Sequence, residues 1–193
     1  MVNPSSTTTY SAVASLGGCT TSAQATVSVT EAILPNTEFD YGGPYCPSDT
    51  NPYPVVDPAF TAGGSFYSGS DLVVDVKKGT INLAASLPGN YVVTYSLEKQ
   101  GCVSAGTGTA EVEILPSPGL QLPDHVMIAP GSSTFLFAGT ASGFTWTPAT
   151  GLSCVNCPDP VASPPETIEY CVIANEQLCF EVACVLVEVT CDG

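Results

Sequence analysis

The feature that most constrains this chain is an internal repeat. Residues 1–30 align on residues 161–190 without a gap, at an offset of 160 positions. Each copy has two runs of alternating residues around a short turn, which predicts a β-hairpin that ends its domain. Nine positions are identical, and in the second copy they are Pro164, Thr167, Tyr170, Ala174, Cys179, Ala183, Val187, Val189 and Thr190.

The two copies differ in what precedes them. The second copy follows a domain's length of sequence, whereas the first stands at the beginning of the chain. We therefore expect residues 1–31 to be the C-terminal hairpin of a truncated domain, and the chain to be a piece of a longer protein. An isolated two-stranded hairpin is only marginally stable in water. We predict that it packs against the next domain or a second chain, by self-association or by strand addition at its unpaired edge.

A recurring Ile-Leu-Pro divides the rest of the sequence, at 33–35 and at 114–116. Because proline ends a strand and stiffens a join, we place one domain at 32–116 and another at 117–193. Val, Thr and Tyr are abundant, while Arg is absent and Lys occurs three times, a composition that suits pleated sheets. The predicted fold class is all-β, as tandem β-sandwiches with Greek-key connections.

The charge of the chain excludes several classes of partner. The formal net charge is −15, and such a field repels phosphate backbones and anionic lipids. The sequence has no apolar run long enough to span a bilayer. We expect neither nucleic-acid binding nor membrane insertion.

The acidic residues are scattered, which argues against a metal site. Ca²⁺ takes six or more oxygen ligands, and the closest candidate pairs fall short of that number. These pairs are Glu38 with Asp40 and Asp71 with Asp75. We expect no metal and no cofactor, with Ca²⁺ as the weak alternative. The single histidine, His125, lies in a predicted strand, so the sequence offers no histidine that could act as the base of a Ser-His-acid triad. We therefore predict no catalytic residue and no enzyme activity.

Nine cysteines beside one histidine indicate an oxidising, extracellular compartment. Cys46 precedes the second strand of the middle domain and Cys102 lies in the turn of its last hairpin, two loops that we place at one end of a sandwich. We predict a Cys46–Cys102 disulfide, which would contribute roughly 3–5 kcal/mol in the chain-entropy model. In the last hairpin, a turn at 176–179 places Cys171 opposite Cys184, within disulfide range on antiparallel strands. A Cys171–Cys184 disulfide is predicted.

Cys154 and Cys157 form a C-x-x-C pair in the loop "GLSCVNCPDPVASP". A structural zinc needs four ligands, and the sequence has no second C-x-x-C. A redox-active dithiol requires a βαβ setting and a helix N-terminus, which an all-β chain does not offer. We predict a Cys154–Cys157 disulfide that tightens the loop. The alternatives are a bond from one of the two to Cys179, and a metal site or free thiols.

Two stretches resemble repeats of known surface proteins. "GGSFYSGSDLVVDVKKGTINLAASLPGNYVVTYSLEKQGC" (63–102) resembles the immunoglobulin-like repeats of giant Bacteroidota adhesins associated with gliding motility. "FTWTPATGLSCVNCPDPVASPPETIEYCV" (144–172) and both hairpins resemble the PKD-like repeats of these adhesins. The resemblance implies an immunoglobulin-like domain followed by a PKD-like domain, export by the type IX secretion system, and a place at the cell surface. It also implies that a sorting domain begins after Gly193.

Three cysteines are left without an assigned partner. The resemblance implies that Cys179 pairs with a cysteine at position 129, where this chain has Ala129. Cys19, the equivalent of Cys179 in the first hairpin, is expected to pair within the missing part of its domain. Cys191 is expected to pair with sequence that follows Gly193.

Several aromatic residues are candidates for a binding surface. Tyr41, Tyr45 and Tyr53 in "FDYGGPYCPSDTNPYP" could form a contact patch, against the simpler expectation of turn and packing roles. Trp146 is expected in the core. Tyr170 opens the penultimate strand, where a tyrosine corner is expected.

These features favour a non-enzymatic structural or adhesive repeat segment of a large secreted cell-surface protein, as an adhesin stalk or surface filament associated with gliding motility. The expected partners are neighbouring domains of the same parent chain and the type IX secretion machinery. The alternative is a carbohydrate-binding accessory domain of a secreted hydrolase, which a planar row of exposed aromatic side chains would favour.

Overall fold

The computed structural model describes residues 1–190. This part of the chain is all-β apart from one 3-10 turn at Leu83–Ala85, and none of its helical residues form a segment long and apolar enough to cross a membrane. The strands form an N-terminal hairpin, a middle domain and a C-terminal domain. Each domain consists of two small sheets around a core of its own.

The N-terminal hairpin consists of β1 (Thr8–Leu16) and β2 (Cys19–Val27). Gly17 and Gly18 join the strands at φ +57° and +84°, a pair of positive values that suits a two-residue hairpin loop and that glycine adopts without strain. Nearly every residue of both strands is exposed, on both faces.

The prediction that this hairpin packs against the middle domain is wrong. β1 and β2 form a sheet of their own, and the middle domain completes its core, from Phe39 to Ile114, without them. Packing of the hairpin against a second chain stays a prediction.

The middle domain packs a three-stranded sheet on a two-stranded sheet. Buried residues alternate with exposed ones along the two long strands, so that Val93, Tyr95 and Leu97 point into the core. Phe39 belongs to the facing sheet, and Phe66 stands beside Tyr95 on the neighbouring strand of the same sheet. The Phe66 and Tyr95 rings lie 4.7 Å apart between centroids, a separation typical of stabilising aromatic pairs. The strands are β3 (Phe39–Asp40), β4 (Val55–Val56), β5 (Ser65–Tyr67), β6 (Gly89–Leu97) and β7 (Gly106–Ile114).

The C-terminal domain contains a four-stranded sheet in the order Gly143–Thr147, Ile168–Glu176, Cys179–Val189 and His125–Ile128, in which the last strand is parallel to its neighbour. Its second sheet consists of Thr134–Phe135 and Val161–Ala162. As expected, Trp146 is in the core, and its indole N–H donates to the Cys157 carbonyl at 2.9 Å. The Tyr170 hydroxyl donates to the Thr150 carbonyl at 2.5 Å. The strands are β8 (His125–Ile128), β9 (Thr134–Phe135), β10 (Gly143–Thr147), β11 (Val161–Ala162), β12 (Ile168–Glu176) and β13 (Cys179–Val189).

The predicted Cys46–Cys102 disulfide is wrong, because the two cysteines lie at opposite ends of the middle domain. Cys46 follows Tyr45, which bridges Ile114 at the end of β7. Cys102 lies in the turn before β7, and its carbonyl accepts a hydrogen bond from the Ile33 N–H at 2.8 Å. The nine residues of β7 therefore separate the two ends by roughly 25–30 Å, whereas a disulfide needs Cα atoms within about 7 Å.

Candidate functional site

The junction between the two sandwich domains is closed by a disulfide. Cys46 of the middle domain is bonded to Cys179, the first residue of β13, with 5.5 Å between their Cα atoms. The two cysteines are 133 positions apart in the sequence. The bond therefore encloses a disulfide-closed span, residues 47–178, which holds most of both domains.

Polar contacts fix the linker beside this disulfide. The Glu181 carboxylate accepts a hydrogen bond from the Leu120 N–H at 3.1 Å and another from the Ser117 hydroxyl. Leu115, at the start of the linker, is buried and donates its N–H to the Tyr45 carbonyl at 2.8 Å. These contacts attach the linker to the middle domain on one side and to β13 on the other.

An open cleft of about 650 Å³ lies over the junction. Leu178 and Phe180, which line the cleft from the C-terminal domain, are largely exposed, and Asp49 lines it from the middle domain. The Asp49 carboxylate is engaged in a turn, where it accepts a hydrogen bond from the Cys46 N–H at 2.7 Å. Within residues 1–190, the structure brings together no group of three or more His, Cys, Asp or Glu side chains that could hold a metal ion.

The remaining cysteines are distributed as follows. Cys171 is bonded to Cys184, directly opposite it in the antiparallel register of β12 and β13, and Cys154 is bonded to Cys157. Both pairings are those expected from the sequence. Cys19 and Cys102 are exposed free thiols. Cys191 lies outside the described residues. Three disulfides in one small chain indicate a secreted or extracellular protein.

The three loop tyrosines do not form a contact patch. Tyr41 is 2% exposed, since it follows β3 on the same face as Phe39, and its hydroxyl donates to the Gly79 carbonyl at 2.5 Å. This burial raises the pKa of the Tyr41 phenol. Tyr45 is half-buried and donates its hydroxyl to the Tyr41 carbonyl. Only Tyr53, which is 69% exposed, is available to a partner.

The acidic pairs considered for Ca²⁺ stabilise turns instead. One Asp40 carboxylate oxygen accepts a hydrogen bond from the Tyr41 N–H at 2.8 Å. One Asp75 oxygen accepts from the Lys77 and Lys78 N–H groups at 2.8 and 2.7 Å. Hydrogen bonds from these two N–H groups hold the pKa of the exposed Asp75 carboxyl below its ordinary value.

Sequence reasoning missed two features of the C-terminal domain. One is the partner of Cys179. The other is an exposed apolar strip on the outer face of its larger sheet, formed by side chains of three strands. A signal was available for the strip, since β13 carries apolar residues at both alternating sets of positions. Its members are Met127, Ile173, Phe180, Val182 and Leu186.

No family model matches this sequence, and no curated protein matches it. Among solved structures, the chain is similar to titin domains I67–I69 in an E-to-A variant, at 11% identity and a TM-score of 0.41, over 95% of this chain and 75% of that one. It is also similar to the insect immune protein hemolin, at 8% identity and a TM-score of 0.41, over 94% of this chain and 56% of hemolin.

A third similarity is to extracellular domains 3–5 of Drosophila OTK, at 10% identity and a TM-score of 0.38, over 94% of this chain and 70% of that one. This chain therefore spans little more than half the length of hemolin. TM-scores of this size do not establish a shared function, and the all-β sandwich assignment rests on the strand pairing described above.

Proposed function

We propose that this chain is a non-enzymatic structural segment of a large extracellular surface protein, and that it transmits tension between the parts joined to its two ends. The observation that carries the proposal is the Cys46–Cys179 disulfide. A bond between two separate domains contributes little to packing within either core. Its effect is to fix how the domains are joined.

The position of the disulfide determines the path of tension through the chain. Force applied at the two ends enters the middle domain before Cys46, crosses the sulfur–sulfur bond, and continues from Cys179 along β13. This path bypasses the disulfide-closed span, residues 47–178, which therefore carries no load. Tension therefore cannot extend the closed span, which holds most of both domains, unless the sulfur–sulfur bond is broken.

The resemblance to Bacteroidota repeats supports a more specific role. A stalk or filament of an adhesin associated with gliding motility would be exported by the type IX secretion machinery and would experience drag during movement. Its partners would be neighbouring domains of the same parent chain. The carbohydrate-binding alternative loses its expected support, because Tyr41 is buried and Tyr45 is half-buried.

Single-molecule force spectroscopy, with the chain held at both ends, tests the proposal. We expect the oxidised chain to release no length from the disulfide-closed span. The Cys46→Ser/Cys179→Ser variant should release both domains, which adds roughly 45 nm for the 133 positions at about 3.4 Å per residue. Cys102→Ser, which removes an exposed free thiol, is the matched control and should behave as the original chain. Release of domain-sized lengths by the oxidised original chain would contradict the proposal.

A further inference from the structure

The N-terminal hairpin has a bare apolar face whose equivalent in the C-terminal domain is completely covered. Alternation along β1 and β2 places ten residues on this face, among them five apolar residues of which none is buried. Their equivalents at the offset of 160 all have 0% exposure. The bare residues are Tyr10, Ala12, Ala14, Ala25 and Val27, and the covered ones are Tyr170, Val172, Ala174, Val185 and Val187.

The two hairpins share their backbone construction as well as their sequence. Thr8 stands opposite Val27, and its equivalent Ile168 stands opposite Val187. The Val29 N–H donates to the Thr7 hydroxyl oxygen at 3.0 Å. At the equivalent positions, the Val189 N–H donates to the Thr167 hydroxyl oxygen at 3.1 Å. What covers one hairpin is therefore a direct template for what fits the other.

In the C-terminal domain, the cover comes from residues 117–160. This segment supplies β10, which pairs antiparallel with β12 from Cys171 to Asn175, and β8, which pairs parallel with β13 from Leu186 to Val189. It also supplies the buried Leu136, Ala138, Phe144 and Trp146 that fill the core over the hairpin.

We infer that the N-terminal hairpin is an acceptor for a strand-donating polypeptide built like residues 117–160. The donor places an antiparallel strand beside Ser11–Ser15, the equivalents of the β12 positions that pair with β10, and a parallel strand beside Thr26–Val29. Its core side chains cover the bare face around Tyr10. Residues 1–30 lie outside the disulfide-closed span, on the N-terminal part of the proposed tension path. The inference does not rest on that path, because it follows from the bare face and its covered equivalent and not from the Cys46–Cys179 disulfide.

The size of the bare face argues against a symmetric pairing with a second copy. Two strands of nine residues present a footprint of about 30 by 10 Å, or roughly 300 Å². A stable interface buries about 800 Å² on each partner. A donor that also pairs with both backbone edges supplies the contacts that the face alone cannot.

Charge and side-chain volume narrow the chemistry of the donor. Residues 1–30 contain no Asp, Glu, Lys or Arg, although the whole chain carries a net charge of −15. The donor therefore needs no basic surface. Ala12 and Ala25 replace Val172 and Val185 of the covered hairpin, and each replacement leaves space for more than one methyl group. The donor should present larger apolar side chains than residues 117–160 do at those two places.

The inference is tested by attaching residues 117–160 ahead of residue 1, so that Pro160 precedes Met1 as it precedes Val161. Hydrogen–deuterium exchange of the peptides that cover β1 and β2 is compared in the original and extended chains. We expect exchange in both strands to slow at least about 100-fold in the extended chain. Restoring volume with Ala12→Val/Ala25→Val should slow it further.

Two substitutions at neighbouring positions on opposite faces of β1 serve as matched controls in the extended chain. Ala12→Asp places a charge on the covered face and should return β1 and β2 to the fast exchange of the original chain. Ser11→Asp places it on the opposite face and should leave the protection intact. The inference is overturned if the extended chain with Ala12→Val/Ala25→Val exchanges as fast as the original. A dimer of the original chain in light scattering, with β1 and β2 protected, would also overturn it, because the occupant would then be a second copy.

Discussion

The two hairpins of this chain are the same structure in two environments. Both have a two-residue turn and the same register, and both close with a threonine hydroxyl that accepts from a valine N–H. Tyr170 is nevertheless completely buried, whereas its equivalent Tyr10 lies on an open face. Short-range sequence therefore determines the hairpin, whereas burial depends on the strands that a distant part of the chain provides.

The cysteines extend this comparison to the hairpin turns. Cys179 is 2% exposed and bonded to Cys46, while its equivalent Cys19 is an exposed free thiol. The same residue at the same place in the same turn thus has a structural role only where a neighbouring domain presents a partner.

The largest expected contrast comes from truncating the equivalent tyrosines. Tyr170→Ala should lower the free energy of unfolding of the C-terminal domain by about 3–5 kcal/mol, through a cavity in its core. Tyr10→Ala should change the unfolding of the chain by less than about 0.5 kcal/mol. Chemical denaturation followed by the fluorescence of Trp146, the single tryptophan, measures the first effect, and calorimetry of the whole chain measures the second. A similar loss for both would mean that the first hairpin is also packed.

The cross-strand disulfide offers a somewhat smaller contrast. Cys171→Ala/Cys184→Ala opens a loop that spans 13 positions and should lower the free energy of unfolding of the C-terminal domain by about 2–3 kcal/mol. Ser11 and Gln24 stand directly opposite each other in the first hairpin, so Ser11→Cys/Gln24→Cys should form the equivalent bond. Peptide mapping without reduction detects it, and failure of that bond to form would show that the two registers differ.

The smallest expected effect is on alkaline stability. Burial raises the pKa of the Tyr170 phenol above its ordinary value of 10.0. Below pH 10 the stabilising contribution of the protonated phenol is fully present. Above pH 10 the unfolded chain ionises this group first, so the free energy of unfolding of the C-terminal domain should fall as the pH rises toward the folded pKa. Tyr170→Phe should remove this part of the pH dependence and Tyr10→Phe should not, as pH titration of Trp146 fluorescence would measure.

Features set by local spacing could be predicted from the sequence. The turn before Cys179 fixes the register of β12 and β13, so that the Cys171–Cys184 pairing followed from counting residues. The all-β fold followed from composition and from the turn residues.

Features set by distant strands could not be predicted. Whether Cys46 lies near Cys102 or near Cys179 depends on which end of the sandwich each loop reaches, and the order of strands in the sheets decides that. The burial of Tyr41 could not be predicted for a related reason. β3 has only two residues, and so short a strand shows no alternation that would indicate which side chain faces the core. The bare face of the first hairpin likewise reflects the absence of strands like β8 and β10 beside it.

The most direct test of this account is a disulfide map of the chain, obtained by alkylation of free thiols, proteolysis without reduction, and mass spectrometry. We expect a peptide that joins Cys46 to Cys179, with Cys19 and Cys102 alkylated. A peptide that joins Cys46 to Cys102 would contradict it, since the covalent connection between the two domains and the proposed path of tension would both be absent.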